Sequence, residues 1–243
     1  MPGVDCEPPG EGVTVALPYY VSPEQMMADK AEYAKKGIAK GRSIVAMEHV
    51  DGILLVADNP SASLHKISEM YDRIAFAGAG KYNEYEILRK AGIRHADLKG
   101  YMYSREDVTA KSLANAYSQT IGSIFSTDPK PLEVEILVVE VGEGEKPNEI
   151  YRISYDGSII DERGVAVVGG KSENLLTFLK SRSTSSSMSL ADAFKLSVEA
   201  LDSVTNQKLA PEGLEVAVLD RGRQGRTFRR IPSSELRTLL SSS

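Results

Sequence analysis

A single cysteine, Cys6, occurs in this chain of 243 residues. No intrachain disulfide can form, which points to a reducing compartment and so to the cytoplasm. Long apolar runs are missing as well. None approaches the roughly 20 residues needed to cross a bilayer, so no membrane partner is expected. The opening residues, MPGVDCEPPGEG, carry neither the basic start nor the apolar stretch of a secretory signal. Histidine is scarce: His49, His65 and His95 lie near no cysteine, which argues against a structural zinc site and against a metal in general. Positive charge is not in surplus either. The formal net charge of −5 argues against nucleic acid as a partner, because duplex-binding domains carry a basic footprint.

What the chain does have suffices for one core. With 42% of residues hydrophobic and 26% charged, a single αβ domain with short appendages fits the length. Residues 1–21 read as a flexible leader, since Pro2, Pro8, Pro9, Pro18 and several glycines deny it regular structure. Ser22-Pro23-Glu24-Gln25 then has the form of a capping box with proline at the first helical position. The pattern predicts a helix from about Pro23 to Lys36, stopped at Gly37. Its apolar face, Met27, Ala31, Ala34 and Ile38, is thin, which suits a helix packed on a neighbouring molecule.

Strands follow. Ser43–His49 and Gly52–Asp58 are β-rich runs joined through Val50-Asp51-Gly52, and His65–Tyr71 and Arg73–Ala79 complete a block of four. One helix begins near Lys81 with Tyr82, Tyr85, Leu88 and Ala91 on one side. A second opens at the capping pattern Ser104-Arg105-Glu106-Asp107 and carries Leu113, Ala116, Tyr117, Thr120, Ile121 and Ile124 at helical spacing. A second strand block covers Leu132–Val141, Ile150–Tyr155, Ser158–Ile160 and Gly164–Val168. Helices at about Ser172–Ser181 and Leu190–Val204 flank a serine-rich loop. Strands at Leu214–Leu219 and Thr227–Ile231 and a short helix at Ser233–Leu240 close the chain. Strand blocks alternating with helix pairs do not make a doubly wound sheet. They predict an α+β fold of the αββα type, two stacked antiparallel sheets with helices outside. The chain divides accordingly into a leader (1–21), a contact helix (22–38), a core domain (39–232) and a C-terminal helix and tail (233–243).

Candidate chemistry is sparse. Gly169-Gly170-Lys171-Ser172 sits between a strand and a helix, but the first glycine of a phosphate loop is replaced by Val165. Gly78-Ala79-Gly80-Lys81 mimics a dinucleotide fingerprint with Asn83 at the third glycine position. Tight strand-to-helix turns explain both, and no cofactor is expected. Arg221, Arg223, Arg226, Arg229 and Arg230 crowd the last strands, where charge protects a sheet edge. No serine stands in a Gly-x-Ser-x-Gly elbow.

Several separated stretches share one resemblance. AEYAKKGIAKGRSIVA (Ala31–Ala46), the run from Asp51 to Arg89 containing NPSASLHKISEMYDRI, SREDVTAKSLANAYSQTIGSIFS from Ser104, EVEILVVEVG from Glu133 and YRISYDGSIIDERG from Tyr151 occur in order. Over roughly Tyr20 to Ile231 the chain resembles the actinobacterial α-type subunits of the 20S proteasome. That resemblance implies a non-catalytic member of the N-terminal nucleophile hydrolase superfamily, packed in a heptameric ring on β subunits as α7β7β7α7. Its leader would act as a gate, with Tyr19 and Tyr20 standing near where other members carry a Tyr-Asp-Arg motif. A ring ATPase would deliver unfolded, often Pup-tagged proteins and dock its tails against Lys66, Gly80 and Glu32. Catalytic members use an N-terminal threonine whose free amine is the base; Ser43, at the head of the first strand, carries an acylated nitrogen. The competing expectations are a catalytic hydrolase cleaved internally near Ser43, which intact mass would reveal, and a nucleotide-binding module using Gly169–Ser172, which calorimetry would reveal.

Overall fold

The computed structural model describes residues 21–182, 188–205 and 208–241. Helix α1 (Pro23–Ala39) leads into the hairpin β1 (Ile44–His49) and β2 (Gly52–Asp58), then β3 (Ile67–Tyr71) and β4 (Ile74–Gly80). Helices α2 (Tyr82–Met102) and α3 (Ala110–Thr127) follow, then β5 (Val134–Glu140), β6 (Glu149–Ile153), β7 (Ile159–Glu162) and β8 (Val165–Val168). The chain continues through α4 (Ser172–Arg182), α5 (Leu190–Thr205), β9 (Leu214–Asp220), β10 (Phe228–Ile231) and α6 (Ser233–Ser241). Every strand pairing is antiparallel. One sheet runs β10-β9-β2-β1-β8 and the other β3-β4-β5-β6-β7, as the alternation of strand blocks and helix pairs predicts. Among the described residues no helix is long and apolar enough to cross a membrane.

Three apolar layers hold the stack together. Between the sheets, Ile44, Ala46, Ile53, Leu55 and Ala57 of the first face Ile67, Ala75, Ala77, Leu137 and Val139 of the second. Outside the first sheet, Val45, Met47, Leu54 and Val56 pack on Leu175, Phe194, Leu201 and Leu236 of α4, α5 and α6. Outside the second, Phe76, Ile136 and Val138 meet Tyr85 and Leu88 of α2 and Leu113, Tyr117 and Ile121 of α3. Central strands β1 and β2 are therefore covered on both faces, which is why they read as unbroken apolar runs rather than as alternation.

The structure revises several local expectations. Helix α1 passes through Gly37 and ends at Ala39. A Cβ at Gly37 would lie 2.2 Å from Glu133 Oε2, so this glycine lets the helix sit on the sheet and does not stop it. Ser22 Oγ accepts from the Gln25 amide at 3.2 Å, but the Gln25 side chain donates to Asp29 at 2.6 Å. Only half of the capping box forms. The buried face of α1 is Lys30, Ala34 and Ile38, while Met27 is exposed. The pattern at Ser104 caps a separate turn, Arg105–Asp107, and α3 starts later under Thr109, which accepts from Ser112. Much of the leader and of the serine-rich loop lies outside the described residues.

Phe76 is fully buried and its ring lies 5.9 Å from that of Tyr117. Truncation to alanine opens a cavity between the second sheet and its helices. Phe76→Ala is expected to lower unfolding stability by about 3–5 kcal/mol in urea titrations. A loss below about 1 kcal/mol would contradict this packing.

Candidate functional site

The chemistry-bearing groups gather where α1 turns into β1. Lys40 caps α1 and the Gly41 amide donates to Ile38 O at 2.8 Å. Gly41 lies so close to Gly80 that a Cβ on it would stand 2.8 Å from the Gly80 nitrogen. Gly170 closes the third side, its amide donating to Gly41 O at 2.9 Å. Three backbone segments thus meet at glycines, and side chains from β2, β9 and the segment before β3 line the corner.

Two carboxylates anchor that corner, and each already has an arginine. Asp58, at the end of β2, accepts from Arg42 Nη1 at 2.7 Å. Glu215, at the start of β9, is bridged by Arg230 from β10. It also accepts from Asn59 Nδ2 at 2.7 Å, from the Lys66 amide at 2.8 Å and from the Ile67 amide at 3.3 Å. His65 Nδ1 lies 3.3 Å from the same carboxylate. Glu215 thereby ties the segment before β3 to the first sheet.

Lys66 is the third cation of the corner. Its Nζ donates to the Arg42 carbonyl at 2.9 Å. Asp58 and Glu215 act on it only at longer range, since neither forms an ion pair with it. Burial pushes its ammonium down to about 8, and the Arg42 guanidinium adds to that; Asp58 and Glu215 offset part of it. Counting formal charges, two arginines and one lysine surround two carboxylates. The corner is left with one unspent positive charge, suited to an incoming carboxylate.

Of the residues expected at a docking pocket, the structure brings Lys66 and Gly80 to this junction. Gly78 in β4 donates its amide to Lys66 O at 3.0 Å, and Gly80 follows two residues later. Glu32 is placed elsewhere, exposed on α1 and paired with Lys36 at 2.5 Å. Tyr19 and Tyr20 lie outside the described residues. Sequence reading overlooked Arg42, Asp58 and Glu215. A signal existed at Asp58-Asn59, where polar residues end an apolar strand yet remain buried.

The glycine-lysine turns have mechanical roles. A Cβ at Gly170 would stand 2.7 Å from both Ala39 O and Gly41 O, so carbonyls, not open amides, surround this turn. Lys171, at φ 59°, donates to Val204 O at 2.5 Å. Neither feature makes a phosphate cradle. A Cβ at Gly78 would lie 2.7 Å from the Tyr85 ring. Ser43 Oγ donates to Gly170 O. Of the C-terminal arginines, Arg226 pairs with Glu69, Arg229 with Glu235, and Arg221 donates to Gly144 O, Lys146 O and Asn148 Oδ1. Strand β10, which bears two of them, is a sheet edge. His49 is buried at the end of β1, accepts from the Asp51 amide at 3.2 Å, and has its pKa lowered by burial.

Comparison with known proteins places this geometry in context. The family model described as "Proteasome subunit" matches residues 38–219. A proteasome subunit alpha of Kineococcus radiotolerans is 52% identical over 235 residues, spanning 93% of this chain and 99% of its own. One from Streptomyces scabiei is 55% identical over 231 residues, 93% of each chain. One from Thermobifida fusca is 51% identical over 228 residues, 93% of this chain and 91% of its own.

Gly80 has φ +101°, and a Cβ there would stand 2.0 Å from Glu133 O. Gly80→Ala is expected to cost roughly 1–3 kcal/mol, from a backbone region that side chains avoid together with that collision. Urea unfolding of the variant checks it, and unchanged stability would contradict the close approach.

Proposed function

The chain belongs to the proteasome subunit family, and from that premise we propose that it is a non-catalytic α-type subunit whose Lys66 corner docks the terminal carboxylate of an activator. The surplus ammonium carries this reading. Arg42 and Arg230 satisfy both local carboxylates, and Lys66 has only a carbonyl. A chain-terminal carboxylate would restore local neutrality, and Gly80 lies at the same junction. Glu32 would join the pocket from a neighbouring copy, because in its own chain it stands apart on α1.

The absence of proteolysis by this subunit follows from the same junction. An N-terminal nucleophile hydrolase needs a free amine at the head of β1 as its base. Here Arg42 acylates the Ser43 nitrogen, and the Ser43 hydroxyl donates to Gly170 O. Proteolysis then belongs to β subunits in an α7β7β7α7 particle, with a ring ATPase supplying unfolded, Pup-tagged proteins in the cytoplasm.

Two exposed surfaces support assembly. Helix α1 turns Met26, Met27 and Tyr33 outward while burying Lys30, Ala34 and Ile38, which suits contact with the next copy in a heptameric ring. The end of α2 exposes Leu98, Tyr101, Met102 and Tyr103, with Tyr101 89% accessible. Such an apolar cluster is costly to leave in water and suits contact with a second ring. Residues 1–21, which include Tyr19 and Tyr20, serve as the gate in this reading.

Deleting Met1–Tyr20 is expected to raise short-peptide hydrolysis by the assembled particle severalfold. Unchanged turnover would count against the gate. Lys66→Ala is expected to weaken stimulation by a C-terminal activator peptide about tenfold, as loss of one charge-assisted contact implies. Assembly, read by gel filtration, should be unaffected; normal stimulation of the assembled variant would remove the docking assignment.

A further inference from the structure

Among the described residues, the buried side-chain polar atoms without a hydrogen-bond partner are His49 Nε2 and Arg221 Nε. Both residues line one cavity of about 330 Å³ at the end of the first sheet. A buried donor is costly to leave unpaired, and two beside one cavity point to an acceptor that reaches it.

Strand register creates this cavity. His49 in β1 pairs with Gly52 in β2, and Gly52 pairs with Asp220 in β9. Met47 and Val218, two places before His49 and Asp220, belong to the layer beneath α4, α5 and α6. Alternation therefore puts His49 and Asp220 on that same face, two strands apart. Gly52 between them contributes no side chain and admits none, since a Cβ there would stand 1.9 Å from Leu219 O. Leu190, the first residue of α5, also lines the gap that results.

His49 is only 5% accessible. Its Nδ1 accepts from the Asp51 amide at 3.2 Å, so in the neutral ring the proton sits on Nε2, and that N–H is the unpaired donor. Burial favours the neutral ring. Acceptors stand opposite. Asp220 Oδ1 takes the Gly222 amide at 2.9 Å, and among the described residues no cation pairs with Asp220 or with Asp51. The formal charges of the lining balance, Asp51 and Asp220 against Arg221 and Arg229, and Arg229 is already paired with Glu235. An anion would therefore face two carboxylates, while a cation would offer His49 nothing to donate to. A neutral group that accepts at one atom and donates at the next satisfies both sides of the gap.

We propose that this cavity binds an uncharged carboxamide, its oxygen accepting from His49 Nε2 and its NH2 donating to Asp220 across Gly52. That chemistry is shared by a glutamine or asparagine side chain on a partner segment and by a free small amide. The site lies at the opposite end of β1 from the Lys66 corner, so it stands whether or not that corner docks an activator.

The test titrates the full chain with three probes of one shape, acetamide, acetate and acetamidinium, and follows the His49 ring nitrogens by long-range proton–nitrogen NMR at neutral pH. His65 and His95 are exposed, and His65→Gln and His95→Gln assign the His49 signal by elimination. The expected free state is the Nε2–H tautomer. Acetamide should shift Nε2 saturably, with acetate and acetamidinium weaker by about tenfold, because each leaves one contact unmade. Asp220→Asn keeps the shape and the Gly222 contact but turns one acceptor into a donor, and should weaken acetamide severalfold. Glutamine capped as its N-acetyl N-methylamide separates the two sources. Binding about tenfold tighter than acetamide supports a side chain on a partner segment; equal or weaker binding supports a free small amide. An Nδ1–H tautomer, a His49 signal that no probe moves, or acetate binding as tightly as acetamide overturns the proposal in the wild-type chain alone. Unchanged acetamide affinity in Asp220→Asn overturns it as well.

Discussion

Contact between backbones at Gly41, Gly80 and Gly170 is the constraint on which the rest of the molecule depends. The chain leaving α1 for β1 passes the end of β4 in the other sheet, and a side chain at any of these positions would meet backbone. Their close approach brings the end of α1, the end of β4 and the turn before α4 into one knot. The first sheet is thereby joined to the second at one end, while the inter-sheet layer of small residues such as Ala46, Ala57, Ala75 and Ala77 joins them along their length. Glycine is chosen here for space, and at Gly80 also for a backbone conformation that other residues avoid.

That knot sets the electrostatics of the corner it creates. Because Gly41 is drawn in, the Arg42 carbonyl faces Lys66 while the Arg42 side chain reaches Asp58. Glu215 is held from several sides by Arg230, Asn59 and the amides leading into β3. Paired charges of this kind stabilise little by themselves once desolvation is counted. Their effect is to define position and to leave Lys66, alone among the cations of this corner, without a paired carboxylate. The backbone runs on without a break through this junction, and the Ser43 hydroxyl donates to Gly170 O.

Helices α2 and α3 and helices α4 to α6 cover the outer faces of the two sheets, so neither sheet is open to a partner over its broad face. Among the described residues, Met26, Met27 and Tyr33 on the outward side of α1 and Leu98, Tyr101, Met102 and Tyr103 at the end of α2 are exposed apolar side chains. Both lie outside the packed layers of the core. Near the C-terminus, Arg226 and Arg229 are matched by Glu69 and Glu235, and Arg221 donates to backbone carbonyls of the same chain.

Sequence alone determined the αββα order, the hairpin between β1 and β2, and the family, because strand and helix periodicities and ordered motifs are local properties. It placed most elements within a few residues. It erred at Gly37, read as a helix stop, and at Ser104, read as the start of α3. In both cases a local signal was put to another use by packing against Glu133 and by an extra turn. Lys66 and Gly80 were legible through resemblance, whereas Arg42, Asp58 and Glu215 were not. Their relation spans up to 173 positions of chain, from Arg42 to Glu215. Only the tertiary structure could show that two arginines claim both acids before Lys66 can, because charge balance is a property of distance in space and not of order along the chain.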